Sequence, residues 1–186
     1  MTTLSIRAER GTVLTFAGVL GFAAALAAAA QVAIALPFTP VPITLQPLVV
    51  VLAGLMLGPT AGAASMVLYL LAGAAGLPVF APLGAPGLAR LLSPTGGYLI
   101  AYPASAFVAG ALAKRAPTLV GRWLAATFGI AVMFAGGVAQ LTVLSGSFER
   151  AIALGFTPFA LLDLVKAFVA ALLTRGARAG VTRRDD

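Results

Sequence analysis

The stretch FALLDLVKAFVAALL, residues 159–173, is apolar at every position except Asp163 and Lys166. It is long enough to lie largely within a bilayer. A charge at mid-membrane costs about 2.5–3.5 kcal/mol on insertion scales, so a membrane helix keeps one only beside a partner, water or a ligand. Residues three apart share one face of a helix. The stretch therefore predicts a membrane helix whose carboxylate and ammonium groups bind a small polar molecule, one as acceptor and the other as donor.

The remaining composition indicates a polytopic membrane protein. Hydrophobic residues make up 61% of the 186 residues, and no charged residue lies between Arg10 and Arg90. The chain has no Cys and no His, which excludes disulfides, Cys/His zinc sites, Ser-His-Asp triads and thiol nucleophiles. Its net charge of +7 comes from basic residues at segment ends, where they set topology rather than bind nucleic acid. No cofactor is predicted.

The apolar segments predict an all-α integral membrane protein with six transmembrane helices. A span needs about 20 residues, and the second segment is short unless it is tilted or partly re-entrant. The six segments are Val13–Leu36, Pro47–Gly58, Ala61–Ala75, Tyr98–Ala113, Trp123–Leu144 and Phe159–Thr174. Residues 1–12 then form a cytoplasmic N-terminal segment, 13–174 the membrane domain and 175–186 a basic cytoplasmic tail.

Basic residues predict that both termini are cytoplasmic. With six spans, nine Lys and Arg residues fall inside, and only Arg90 and Arg150 fall in outer loops. The nine are Arg7, Arg10, Lys114, Arg115, Arg122, Arg175, Arg178, Arg183 and Arg184. An odd number of spans would place one basic terminus outside, so the bias also favours six.

Small residues recur every four positions on the first helix. One stripe holds Gly21, Ala25 and Ala29, and the next holds Ala24 and Ala28. Such stripes let two helices approach closely in lipid. Packing inside the six-helix bundle and docking of an external partner explain them equally well.

The first outer loop, PFTPVPITLQ at residues 37–46, is stiff because three prolines fix φ and remove backbone donors. Irregular backbone at membrane depth occurs only where it is buried in protein or lines a cavity. The loop is therefore either the wall or lid of a binding site, with Thr44 and Gln46 offering hydrogen bonds, or a rigid connector.

A second outer loop carries Arg90 and ends in the PTGGY block, residues 94–98. Its glycines allow close backbone approach, and Tyr98 combines an apolar ring with a hydroxyl. Arg90 offers a fork of donors for a carboxylate. Interfacial anchoring of Tyr98 and lipid-headgroup contact by Arg90 are the alternatives.

Four blocks together resemble the BioY family, the biotin-binding S components of energy-coupling-factor (ECF) transporters. They are PFTPVPITLQ (37–46), LAGLMLGPTAGAASMVLYLLAGAAGLPVF (52–80), PTGGY (94–98) and the D-x-x-K of the last helix. The resemblance covers essentially all of the membrane-spanning chain. One departure is Ala160-Leu161-Leu162, where the family is expected to have Pro-Gly shortly before the aspartate.

The resemblance implies a six-helix protein of the bacterial inner membrane that captures biotin from the outer side with high affinity. A transmembrane T component and two ATPases would supply coupling, although some BioY proteins occur without a dedicated set. Asp163 and Lys166 match the family's polar pair, the proline loop its substrate-covering loop, and the small-residue stripe its surface for the T component. Whether the protein works alone or forms a homo-oligomer stays open.

Two other functional classes compete with a biotin-capturing subunit. An intramembrane enzyme would use Asp163 as general acid or base, yet the chain offers no second embedded carboxylate and no His. A structural scaffold would need Asp163 and Lys166 only to neutralise one another. The chain also lacks a Walker A sequence, so ATP-driven uptake requires partners.

Overall fold

A computed structural model of the chain describes residues 2–182, with side chains over residues 11–175. Seven α-helices and one β-hairpin make up the regular structure of this part. The helices are α1 (Thr2–Gln31), α2 (Gln46–Leu57), α3 (Pro59–Ala74), α4 (Gly96–Arg115), α5 (Leu119–Ser145), α6 (Phe148–Gly155) and α7 (Ala160–Thr182). Strands β1 (Ala33–Leu36) and β2 (Thr39–Thr44) follow α1, and a 3₁₀ helix (Gly87–Leu92) precedes α4.

Three of these helices are long and apolar enough to cross a membrane: Gly11–Gln31 within α1, together with α4 and α5. Helix α6 and the Ala160–Arg175 part of α7 form a fourth candidate span that is bent by 53°. Helices α2 and α3 are apolar but short. At about 1.5 Å per residue the 12 residues of α2 reach only about 18 Å. A largely helical membrane protein is therefore confirmed.

The first predicted span was wrong at its C-terminal end. Helix α1 stops at Gln31, and Ala33–Leu36 leaves the helix to form β1. This strand pairs antiparallel with β2, with Ala33 opposite Thr44 and Ile34 opposite Ile43. The periodicity of so short an apolar run does not distinguish a helix from a strand. Residues 33–36 form a strand because they pair with β2, which is extended and stiffened by prolines.

Helices α4 and α5 form the most extensive packing in the bundle, and α2 packs against α3, α4 and α7. Close approach depends on glycine at these crossings. A Cβ at Gly54 of α2 would lie 2.1 Å from the Ala106 carbonyl oxygen of α4. A Cβ at Gly97 of α4 would lie 2.2 Å from the Gly136 carbonyl oxygen of α5. Apolar surface in lipid is already out of contact with water, so no hydrophobic free energy is gained when two helices bury it. Helices in lipid therefore associate through close packing contacts of this kind.

Helix α6 was not predicted, because its eight residues are too few for a span. The Ser147 side chain caps its first turn by accepting from the Arg150 backbone N–H at 3.3 Å. Most of the other predicted boundaries lie within four residues of the observed ones. The exceptions are the N-terminal end of α1, which begins at Thr2 rather than Val13, and the C-terminal end of α7, which continues to Thr182. The basic side chains at 7, 10, 178, 183 and 184 lie outside the described side chains.

Candidate substrate-binding cavity

A cavity opens between the β-hairpin, the 3₁₀ helix and helices α2, α4, α5 and α7. It combines apolar walls with a few convergent polar side chains, as small-molecule sites do. All six side chains predicted to bind substrate line it: Thr44, Gln46, Arg90, Tyr98, Asp163 and Lys166. Residues that are 122 positions apart in the chain, such as Thr44 and Lys166, thus meet at one site.

Asp163 and Lys166 form an ion pair on the cavity side of α7. The Lys166 Nζ lies 2.6 Å from Asp163 Oδ1, and both residues are buried. The same Nζ donates to the Thr44 carbonyl oxygen at 2.8 Å. The pair therefore carries no net charge, and Lys166 ties α7 to the end of β2. The second carboxylate oxygen of Asp163 retains acceptor capacity for a ligand N–H.

The proline loop forms one wall of the cavity through β2. Val41, Pro42, Ile43 and Thr44 all line it. At the other end of the strand, the Thr39 hydroxyl donates to the Leu154 carbonyl oxygen of α6 at 2.6 Å. The hairpin is thus fastened at both ends of β2, to α7 and to α6, so it is more than a connector.

Two predicted polar side chains are already engaged within the protein. The Gln46 amide donates to the Tyr69 hydroxyl at 2.9 Å. The Tyr98 hydroxyl donates to the Gly155 carbonyl oxygen at 2.7 Å, which pins the end of α6. Tyr98 therefore offers the cavity mainly its ring, rather than a free donor.

Arg90 is the unneutralised cation of the cavity. Its guanidinium donates to the carbonyl oxygens of Ala81 and Leu83, and its buried Nε has no partner. Within the described part of the chain no carboxylate forms a salt bridge with it. Burial lowers the pKa of Arg90, an effect that nearby Tyr69 opposes, but a guanidinium stays protonated in proteins. The cavity therefore carries one net positive charge.

The apolar walls of the cavity were missed by sequence reasoning. Aromatic and other apolar side chains from α4, α5 and the loops before the 3₁₀ helix and α7 supply them: Phe80, Leu99, Tyr102, Met133, Phe134 and Phe159. Aromatic rings pack around this space, and the ring centres of Tyr98 and Phe134 lie 6.3 Å apart in an edge-to-face arrangement. The four-residue spacing of Tyr98 and Tyr102 on α4 was the one available signal.

Four of the five small residues singled out on α1 face outward. Gly21, Ala24, Ala25 and Ala28 are exposed, whereas Ala29 is only 8% exposed. The inclusion of Ala29 in a partner surface was therefore wrong. Its neighbour Ala30 and Leu26 are also buried, so this face of α1 packs against the bundle instead.

The BioY family model matches residues 2–183 of the chain. The chain belongs to the BioY family. The match covers every element of the fold, so the resemblance read from the four sequence blocks is confirmed.

Individual BioY-family relatives agree with this assignment. The "Probable biotin transporter BioY" of Pyrococcus horikoshii is 40% identical over 82% of this chain and 88% of its own length. The "Biotin transporter BioY" of Thermotoga maritima is 38% identical over 75% and 82%, respectively. A crystal structure described as the S-component for biotin from an ECF-type ABC transporter superposes with a TM-score of 0.84. It is 26% identical and covers 96% of this chain and 95% of its own.

Proposed function

We propose that this BioY-family chain is the biotin-binding and uptake subunit, or S component, of an ECF-type vitamin transporter. The carrying observation is the charge pattern of the cavity: a mutually neutralised Asp163–Lys166 pair, and Arg90, which has no carboxylate partner in the part of the chain whose side chains are described. Biotin has the complementary pattern, a neutral ureido ring that donates and accepts, an apolar bicycle and one carboxylate.

The two polar ends of the cavity suggest which end of biotin each one meets. Asp163 accepts from a ureido N–H and Lys166 donates to the ureido oxygen, because these two groups supply an acceptor and a donor without net charge. Arg90 meets the carboxylate, since an unpaired guanidinium is the natural partner for an anion. Thr44 and Gln46 border the ureido end, and the ring of Tyr98 packs on the apolar bicycle.

Labelled-biotin binding to detergent-purified protein tests the function. We expect saturable binding with desthiobiotin as an effective competitor, because it keeps both the ureido group and the carboxylate. Lipoate, which has a carboxylate but no ureido group, should compete poorly. Absence of saturable biotin binding by folded protein would overturn the proposal.

A transporter subunit, rather than an enzyme, is what the BioY-family match supports. Among the described residues, Asp163 is the one acidic side chain that lines the cavity, and it is paired with Lys166. This arrangement suits the recognition of a polar ligand.

We further propose six spans in the bacterial inner membrane, with α2 and α3 as two short spans and α6–α7 as one bent span. Both termini are then cytoplasmic and the β-hairpin lies on the outer side, as the nine-to-two distribution of Lys and Arg favours. A reporter that is active only in the cytoplasm should be active when it is fused to either terminus. A periplasmic reporter active at either terminus would contradict this topology.

ATP-driven uptake would use partners, a T component and two ATPase subunits, because the chain sequence has no Walker A phosphate-binding motif. The exposed stripe Gly21, Ala24, Ala25 and Ala28 on α1 is the proposed surface for the T component. Its small side chains permit the close helix approach that association in lipid requires.

Ala25→Leu should leave biotin binding within about two-fold of wild type but strongly impair partner-dependent uptake, since the bulkier side chain separates the helices. Ala29→Leu is the matched comparison, because the same change at a buried position overpacks the bundle and costs about 1–3 kcal/mol of stability. Equal uptake by Ala25→Leu and wild type would contradict the assignment. Loss of self-association instead of uptake would indicate that the stripe joins two copies of the chain.

A further inference from the structure

Gln140 is a polar side chain on the long apolar helix α5, and its partners lie outside that helix. Its Nε2 donates to the Leu91 carbonyl oxygen at 3.0 Å and to the Ser93 carbonyl oxygen at 2.6 Å. A polar residue in a membrane helix is retained where such partners compensate its burial. Gln140 thus connects α5 to the segment that follows Arg90.

The two carbonyl groups lie at the C-terminal end of the 3₁₀ helix. Carbonyl groups at a helix end have no partner within the helix and need one from elsewhere. The Arg90 carbonyl oxygen is satisfied locally, by the Ser93 backbone N–H at 3.1 Å and the Ser93 hydroxyl at 2.7 Å. Gln140 is the partner of the Leu91 carbonyl oxygen and a second donor to the Ser93 carbonyl oxygen, which also accepts from the Gly96 backbone N–H at 2.8 Å. It thus holds the end of the short helix that carries Arg90.

Gly96 leaves the space that this arrangement needs. A Cβ at position 96 would lie 1.9 Å from the Leu91 carbonyl oxygen and 2.7 Å from Gln140 Nε2. The Leu91–Gln140 hydrogen bond therefore runs through space that only glycine leaves free. This is a physical reason for the first glycine of the PTGGY block.

Arg90 is consequently held from two directions. The carbonyl oxygens of Ala81 and Leu83 fix its guanidinium, while Gln140 fixes the backbone on its C-terminal side. Its Nε stays buried without a partner. Removal of Gln140 frees the backbone but leaves the guanidinium chemistry of Arg90 unchanged.

We propose that Gln140 is a positioning residue for the anionic end of the ligand. Through the Leu91 and Ser93 carbonyl oxygens it holds the 3₁₀ helix so that Arg90 meets the carboxylate. This inference rests on the proposed biotin-binding function. It predicts that loss of Gln140 weakens the contribution of the ligand carboxylate to binding affinity. The contribution of the ureido end should stay unchanged.

The test compares biotin with biotinamide, in which an uncharged amide replaces the carboxylate. Gln140→Met keeps the length and apolar bulk of the side chain but cannot donate. We expect biotin affinity to fall about ten-fold, the loss of roughly two neutral hydrogen bonds. Biotinamide affinity should stay within about two-fold of wild type. The double variant Arg90→Met/Gln140→Met should bind biotin like Arg90→Met alone, because Gln140 acts through Arg90.

Thr142→Val is the matched control, since the Thr142 hydroxyl bonds only to the Val138 carbonyl oxygen of its own helix at 2.8 Å. It should change neither affinity. If Gln140→Met does not yield folded protein, the milder Gln140→Asn keeps the amide on a shorter stem and should show the same selective loss.

Three results would overturn the proposal: an equal loss of affinity for both ligands, no loss for either, or additive losses in the double variant. An equal loss would make Gln140 a structural residue only. If wild-type protein bound biotin and biotinamide equally well, the Arg90–carboxylate assignment and the role of Gln140 would fall while biotin binding stood. Failure of wild type to bind biotin would instead overturn the proposed function itself.

Discussion

Asp163→Asn is expected to lower biotin affinity by about two to four orders of magnitude, and Lys166→Ala by a similar factor. Each change removes one member of a buried ion pair whose atoms lie 2.6 Å apart, and leaves the other charge without its partner. Breaking such a pair costs about 3–5 kcal/mol. Because the pair lies in the proposed binding site, we expect this free energy to appear as lost biotin affinity. Equilibrium binding of labelled biotin to purified variants measures the effect.

A double variant separates ligand recognition from charge balance. Asp163→Asn/Lys166→Met strands no charge, so its thermal stability should exceed that of either single variant. Its biotin affinity should nevertheless stay low, because the acceptor and donor for the ureido group are both gone. Recovery of binding in the double variant would reduce the pair to a structural role, as a scaffold would require.

Matched controls come from exposed residues of the same charge. Glu149→Gln on α6 and Lys114→Met at the end of α4 remove a carboxylate and an ammonium group that are exposed and outside the cavity. Both should bind biotin like wild type. Similar losses in the controls would show that net charge, rather than the cavity pair, governs affinity.

Arg90→Met is expected to lower biotin affinity by roughly 100-fold and biotinamide affinity by less than about three-fold. Truncating one partner of a buried charge-assisted contact costs about 2–5 kcal/mol, and biotinamide lacks the charge that Arg90 would meet. Arg90→Lys should give an intermediate loss, since an ammonium group keeps the charge but not the planar fork of donors. Competition titrations with both ligands measure these differences.

Arg150→Met is the control for Arg90, because Arg150 is an exposed arginine on α6 that does not line the cavity. It should leave both affinities unchanged. Equal losses for biotin and biotinamide in Arg90→Met would contradict a contact with the carboxylate. They would indicate that Arg90 serves mainly to hold the carbonyl groups of Ala81 and Leu83.

The sequence predicted the polar members of the cavity well because charge in an apolar segment is costly wherever the segment folds. Asp163 and Lys166 stand out in the sequence for this reason alone. Gln140 also interrupts a long apolar helix. Its amide is uncharged and the cost is smaller, so the signal is weaker.

The errors in predicted structure have a common cause. Ala33–Leu36 has a composition that suits either a helix or a strand, and its pairing with β2 decided between them. Helix α6 is stabilised by contacts that are remote in sequence, namely Tyr98 with Gly155 and Thr39 with Leu154. The local sequence pattern carries no information about these contacts between distant residues.

The sequence by itself determined that this is a largely helical membrane protein of the BioY family with a carboxylate and an ammonium group, Asp163 and Lys166, inside one apolar helix. Hydropathy and the high cost of charge in lipid act locally, so they can be read position by position. Tertiary structure alone decided that β2 forms a wall of the cavity, that Arg90 forms no salt bridge with any carboxylate among the described side chains, that Ala29 is buried and that Gln140 reaches the Arg90 segment. These depend on helix crossings that glycine allows and on hydrogen bonds between distant residues, which exist only once the bundle has packed.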